Sequence, residues 1–183
     1  QVWVENKVDS FLFTVSAKPN LVNVDADKMV LADKKDNKGL EEFIFQYKHA
    51  GNYLDRREAV EFASKKIKDP AAYQLVYDAL SDPFYRIRLK ALGSFGSATL
   101  DAPTIARIEA IAKKDSSRIT RAEAIAELGK LKLSQYRSFF LSAVSDSSYS
   151  VSGEALKALA GIDSATALKE AARLSGEKNK GKL

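Results

Sequence analysis

The chain has 183 residues, with 29 Lys+Arg, 24 Asp+Glu, one His and no Cys. The missing cysteine excludes disulfides, thiolate metal sites and cysteine nucleophiles. A single imidazole, His49, excludes any site built on two, the His-Glu-x-x-His zinc motif included. The formal net charge of +5 is evenly spread: residues 1–38 hold six basic and six acidic side chains, and so do residues 39–69, so no basic block marks a nucleic-acid partner.

No stretch approaches 18 uninterrupted apolar residues, so no membrane span is expected. Gln1-Val2-Trp3-Val4 follows no charged or apolar leader and starts as if inside a strand, which reads as a piece of something longer. Nothing in the chain assigns a compartment.

Residues 1–38 read as short strands. Val2 and Val4, then Phe11, Phe13 and Val15, alternate with polar residues, the period of a half-buried strand. Leu21–Val24 and Met29–Leu31 give two further strands, with Asp25-Ala26-Asp27 as the turn between them. Four short strands without a second layer make a poor domain, so they are expected to pack on the helices or to complete a sheet whose other strands are missing. Asp33–Gly39 is a polar junction.

From Leu40 the period becomes helical. Leu40, Phe43, Ile44 and Tyr47 share one face. Asp55-x-x-Glu58 reads as a capping box opening the next helix, with Ala59, Phe62, Ala63 and Ile67 inside. Asp69-Pro70 and Asp82-Pro83 each place a cap before a proline suited to a first helical turn. Tyr136, Phe139, Phe140, Ala143 and Val144 form one later stripe, and Val151, Ala155, Ala158, Leu159 and Ile162 another. Helices recur to about Ser175, and residues 176–183, with Lys178, Lys180 and Lys182, read as a flexible Lys-rich tail that keeps the protein in solution.

An internal repeat emerges when these helices are stacked. Asp recurs at 82, 115 and 146, and Ala at 59, 91, 124 and 155. A large apolar residue follows four on at Phe95, Leu128 and Leu159, and the spacing is 31 to 33 residues. Two helices per unit at that period signal an α-solenoid. The Asp is expected to cap the second helix and the Ala to let the two helices approach closely. The units resemble HEAT repeats: Asp followed by Val/Ile-Arg-x-x-Ala is kept best as Asp82, Ile87, Arg88 and Ala91. They are shorter than standard HEAT units, and the last loses its Arg to Ser152. The fold expected is mainly α, a right-handed α-α superhelix of HEAT-like pairs over 39–175, preceded by short β-strands over 1–38.

Few residues invite chemistry. His49, before Ala50-Gly51, reads as a surface histidine meeting the negative end of a helix dipole. Gly93-Ser-Phe-Gly96 is a helix end and not a phosphate loop. Asp25, Asp27 and Asp33 lack the spacing and terminal Glu of a calcium loop and read as a solvated turn. Arg56, Arg57, Arg86 and Arg88 fall near the starts of second helices, where stacking would line them on one edge. The bland reading is that Arg88 and its equivalents pair with the capping Asp of a neighbouring unit. Tyr53, Tyr85 and Tyr149 recur in register and read as core rather than as a base-stacking ladder.

The N-terminal third is more specific. Trp3-Val4-Glu5-Asn6-Lys7-Val8-Asp9-Ser10-Phe11, Lys18-Pro19-Asn20-Leu21-Val22-Asn23-Val24-Asp25-Ala26-Asp27-Lys28 and Ala32-Asp33-Lys34 closely resemble a region of bacterial zinc aminopeptidases of the aminopeptidase N family. Gln46-Tyr47-x-x-Ala50-x-x-Tyr53-x-Asp55-Arg56-Arg57-Glu58-Ala59 continues the match. The resemblance implies the last strands of a β-sandwich followed by a superhelical C-terminal domain. That domain would be non-catalytic and would close or shape the chamber in which a catalytic domain of the same polypeptide, holding zinc, removes N-terminal residues from peptides.

The family's His-Glu-x-x-His and Gly-x-Met-Glu-Asn motifs are absent, so no residue here is assigned a catalytic, metal-ligating or cofactor-binding role. No zinc is expected in this chain. The partners implied are that catalytic domain and peptide substrates, with no nucleic acid. The competing expectations are a free-standing HEAT-like scaffold for protein partners and, more weakly, a DNA-binding repeat protein.

Overall fold

A strand needs a neighbour for every second backbone group, whereas a helix satisfies its own. That difference separates the two ends of this chain. The computed structural model describes residues 3, 5–31, 34–35, 37–96 and 98–176. Among them there is no strand, which corrects the expectation for residues 1–38. Phe11, Phe13, Val15, Val24 and Met29 keep the alternating character of strand residues, but nothing pairs with them and their side chains are exposed. Val2, Val4, Ala32 and Asp33 lie outside the described residues, as does the expected tail from Glu177 to Leu183.

The turn at Asp25 is as expected. Its φ is 53°, and its carboxylate accepts the N–H groups of Met29 (2.9 Å) and Val30 (3.1 Å).

Helices begin at Leu40, where the sequence period changes. The described residues hold nine α-helices: α1 (Leu40–His49), α2 (Tyr53–Ser64), α3 (Pro70–Ala79), α4 (Tyr85–Leu92), α5 (Ala102–Lys114), α6 (Arg118–Lys130), α7 (Arg137–Ala143, entered through the 3-10 turn Ser134–Tyr136), α8 (Tyr149–Ala160) and α9 (Ser164–Ser175). They pair as α1/α2, α3/α4, α5/α6 and α7/α8. Each second helix packs on the next unit's second helix, and α9 closes the end against α8.

The recurrent alanines do what their size suggests. Ala59, Ala91, Ala124 and Ala155 are fully buried, and so are Leu128 and Leu159 four residues after two of them, with Phe95 nearly so. The seam between α6 and α8 is the tightest. A Cβ on Gly129 would lie 2.8 Å from the Ala158 Cβ and 3.2 Å from its Cα, so only glycine fits there.

The helix starts match the sequence reading at α3 and differ from it at every second helix. Asp69 caps α3 as expected, accepting from the Ala71 N–H at 2.8 Å ahead of Pro70. The N-cap of α2, however, is Asn52, and Asp55 is already inside the helix, buried. The N-cap of α4 is Phe84, two residues past Asp82. The reciprocal glutamate sits instead at the start of α1, where Glu42 accepts the Gly39 N–H at 2.8 Å. The caps were misplaced because in each case a buried ion pair claims the aspartate's oxygens.

Candidate functional site

The repeating aspartates and arginines meet across units. Arg56, Arg88 and Arg121 each occupy the fourth position of a second helix, from which the guanidinium reaches the loop of the next pair. Arg56 Nε donates to Asp82 at 2.9 Å. Arg88 grips Asp115 with two bonds of 2.7 and 2.8 Å, and Arg121 lies 3.6 Å from Asp146.

Each arginine also donates backward to its own loop: Arg56 to the Gly51 carbonyl (2.7 Å), Arg88 to those of Asp82 and Pro83 (2.8 and 3.0 Å), and Arg121 to that of Asp115 (3.0 Å). The pairing expected for Arg88 is therefore present in three consecutive rungs. At the next equivalent position Ser152, buried, gives its hydroxyl to the Val144 carbonyl, so the backward bond survives and the forward one is lost.

The aspartates act as turn formers as well as ion-pair partners. Asp82, Asp115 and Asp146 accept the N–H two residues on, from Phe84, Ser117 and Ser148 at 2.8, 2.8 and 2.7 Å. They hold the loop just ahead of each second helix rather than capping the helix itself. Burial pushes the Asp115 carboxyl up, but Arg88, the Ser117 N–H and Arg121 outweigh it and hold the group below the usual carboxylate range. The Tyr47 hydroxyl donates to Asp82 at 3.3 Å; burial, then the Asp82 charge, push its pKa well above that of an ordinary tyrosine.

A second series of bonds ties α3 to α5, α5 to the start of α7, and α7 to α9. The Tyr73 hydroxyl bonds Thr104 (2.8 Å) and Asp101 (3.2 Å), Tyr136 bonds Glu109 (3.3 Å), and Arg137 bonds Asp163 and Thr166 (2.7 and 3.0 Å).

The two blocks of the N-terminal resemblance also meet. Lys28 reaches the buried Asp55 at 2.5 Å, the Asn52 amide donates to the Ala26 carbonyl at 2.7 Å, and Lys34 lies 3.5 Å from Glu58. The junction is similarly fastened: Lys38, buried, donates to Gln46, whose own amide donates to the Asp55 carbonyl at 2.8 Å.

With the fourth-position arginines committed to the frame, the remaining candidates fall on an open groove of about 760 Å³. It crosses three successive second helices and is lined by Tyr53 and Arg57 of α2, Tyr85, Arg86, Leu89 and Lys90 of α4, and Ile119 and Glu123 of α6. Tyr53 and Tyr85 are half-buried at the first positions of their helices, not core residues, and Tyr149 is exposed. Phe84 sits edge-on to both groove tyrosines, with ring centroids 5.0 and 5.3 Å away, and fixes them. Arg57 and Lys90 share Glu61 at 3.9 and 3.8 Å. The sequence placed Arg57 and Arg86 on one edge of the stacked units and showed Tyr53 and Tyr85 recurring; it missed Leu89, Lys90, Ile119 and Glu123, which fall at equivalent helix positions but match no motif.

Of the other singled-out positions, Gly93 lines the groove, and His49 and Gly96 lie outside it. His49 ends α1, exposed and stacked on Phe45 at 4.1 Å. Gly93 caps α4 and Gly96 turns the chain with φ 54°. Among the described residues no three His, Asp or Glu side chains converge to hold a metal ion. No helix among them is long and apolar enough to cross a membrane.

Comparison with known protein families matches residues 105–181 to HEAT repeats. The match starts in α5 and covers α6 to α9. No curated protein matches the chain. Residues 105–181 are therefore similar to HEAT repeats, and the arginine–aspartate ladder runs through the helical part as its internal fastening.

Proposed function

We propose that this HEAT-type array is a non-catalytic binding scaffold, wound as a right-handed superhelix, and that the polypeptide it serves is a zinc-dependent aminopeptidase whose peptide chamber it closes or shapes. The observation that carries the scaffold reading is the groove across α2, α4 and α6, carried on a frame whose successive pairs are joined by the arginine–aspartate ladder and by the bonds between first helices. Solenoids present such continuous faces to partners because each unit contributes one helix to the same side.

The aminopeptidase reading is supported by the resemblance of residues 3–34 and 46–59 and by the bonds that join those two blocks at Lys28–Asp55 and Asn52–Ala26. The metal-assisted hydrolysis would run in another part of the polypeptide. The match to HEAT repeats favours a second reading, a free-standing scaffold for a protein partner.

The coding sequence upstream of Gln1 separates them. A continuous frame with His-Glu-x-x-His and a later Glu makes this an aminopeptidase domain, and a frame without them leaves the free-standing scaffold. In the first case, deleting residues 39–183 from the parent enzyme is expected to lower kcat/KM for peptides more than for a single-residue anilide. The groove substitution Tyr85→Ala, which leaves the frame intact, should show the same bias in milder form.

A further inference from the structure

The groove's charges are unequal in their commitments. Arg57 and Lys90 both lean on Glu61. Arg86 has no carboxylate partner among the described residues. Its Nε donates to the Tyr85 hydroxyl at 3.1 Å, and its guanidinium carbon lies 5.8 Å from that ring's centroid. The side chain is thus fixed at Nε while its two-pronged end is left open, the geometry that receives a carboxylate through paired bonds. Beside it lie the half-buried Leu89 and Ile119, the latter 50% exposed, a place for an apolar side chain. Glu123 lines the same groove, and Glu61 stands beside it as the partner of Arg57 and Lys90. They would repel a run of phosphates, so one fixed open cation among carboxylates suits a single acid rather than a nucleic-acid backbone.

We propose that the groove takes an extended peptide segment that seats an acidic side chain on Arg86 and a neighbouring apolar side chain on Leu89 and Ile119. This inference rests on the scaffold reading above and names the chemistry of its ligand. Fixing Arg86 in advance lowers the ordering cost of each contact. The Tyr85 and Tyr53 rings supply stiff, amphipathic walls of the kind that recur at binding surfaces.

The test uses the full 183-residue chain and a fluorescein-labelled decapeptide with a central Asp-Leu in Gly/Ser surroundings, acetylated and amidated so that no terminal charge competes. The Asp-Leu peptide is expected to bind about tenfold more tightly than its Asn-Leu counterpart, the usual scale for a charge-assisted pair. Arg86→Gln should abolish that preference. Arg107→Gln, an equal loss of charge on the exposed face of α5, should leave it in place, and both variants should melt like the parent by circular dichroism.

Equal binding of the two peptides overturns the proposal. So does no binding of either, an Arg107→Gln effect as large as that of Arg86→Gln, or displacement of the peptide by a ten-nucleotide single strand at equal concentration. None of these bears on the scaffold reading, which the reading frame and the deletion decide.

Discussion

Residues 3–31 and residues 40–175 are equally rich in apolar side chains, yet one region exposes them and the other buries them. Leu12 and Leu31 are fully exposed, while Leu80, Leu92 and Leu128 are sealed. The difference lies in where each pattern finds its partner. A helical stripe in this chain meets its complement about 32 residues later, in the next unit, because the repeat supplies it. An alternating strand has to meet another strand edge, and none lies within the described residues. The N-terminal segment is held instead by polar contacts, Lys28 to Asp55 and Asn52 to Ala26, which attach it without covering its apolar side chains.

The sharpest way to break the comparison is to cut into the core of the helical region. Phe140 is completely buried in α7. Phe140→Ala should cost about 4 kcal/mol by urea denaturation, the scale for an aromatic cavity. If the loss is under about 1 kcal/mol, the α7/α8 pair is not packed as described.

Next comes the ladder. Arg88 and Asp115 are both largely shielded, and Arg88→Leu strands a buried carboxylate, so a loss of about 3 kcal/mol is expected. Adding Asp115→Asn to that variant should recover a good part of it, since the stranded charge is then gone; a strictly additive pair would show that the two are not coupled.

A smaller effect is reached through pH. The Thr166 hydroxyl and N–H, with Arg137, hold the Asp163 carboxyl down at about 2 from an ordinary 3.8. A lowered value means that the folded state favours the ionised form. Its contribution is complete above 3.8 and disappears as the pH falls towards 2. Asp163→Asn should therefore be less stable than the parent at neutral pH and equal to it near pH 2. A constant gap across that window would count against the bond network at the start of α9.

The smallest effect belongs to the other region. Phe13 is 73% exposed, so Phe13→Ser should shift the unfolding midpoint by no more than about 0.5 kcal/mol. A large shift would mean that the segment is packed after all.

Much of the helical region was legible from local rules. The period change at Leu40, the alanines at 59, 91, 124 and 155, and the cap at Asp69 followed by Pro70 all depend on near neighbours or on the repeat itself. The Arg88–Asp115 pairing was readable because the repeat aligned a donor and an acceptor. What was not legible involves competition between distant partners. Asp55 looked like a cap until Lys28, 27 residues earlier, claimed it. Asp82 looked like a cap until Arg56 and Tyr47 drew its oxygens away. The groove was half legible: the repeat put Arg57 and Arg86 on one edge, but Leu89, Ile119 and Glu123 share no motif, and only stacking sets them beside the arginines. The strands failed at a different level, since alternation reports a preference that no described residue fulfils.

The ladder also has a direction. Every rung runs from an arginine in one pair to an aspartate in the next, so an inner pair carries a plug on one side and a socket on the other. Arg88 and Asp82 give the second pair both, whereas the fourth pair, with Ser152, keeps Asp146 as a socket and has no plug. Inner pairs are thereby interchangeable modules: a duplicated one would find matching fittings on both sides, and the array can lengthen or shorten there in whole pairs. The fourth pair cannot be copied inward without leaving a gap in the chain of charges. A single Arg-to-Ser difference thus marks the last rung of this ladder among the described residues.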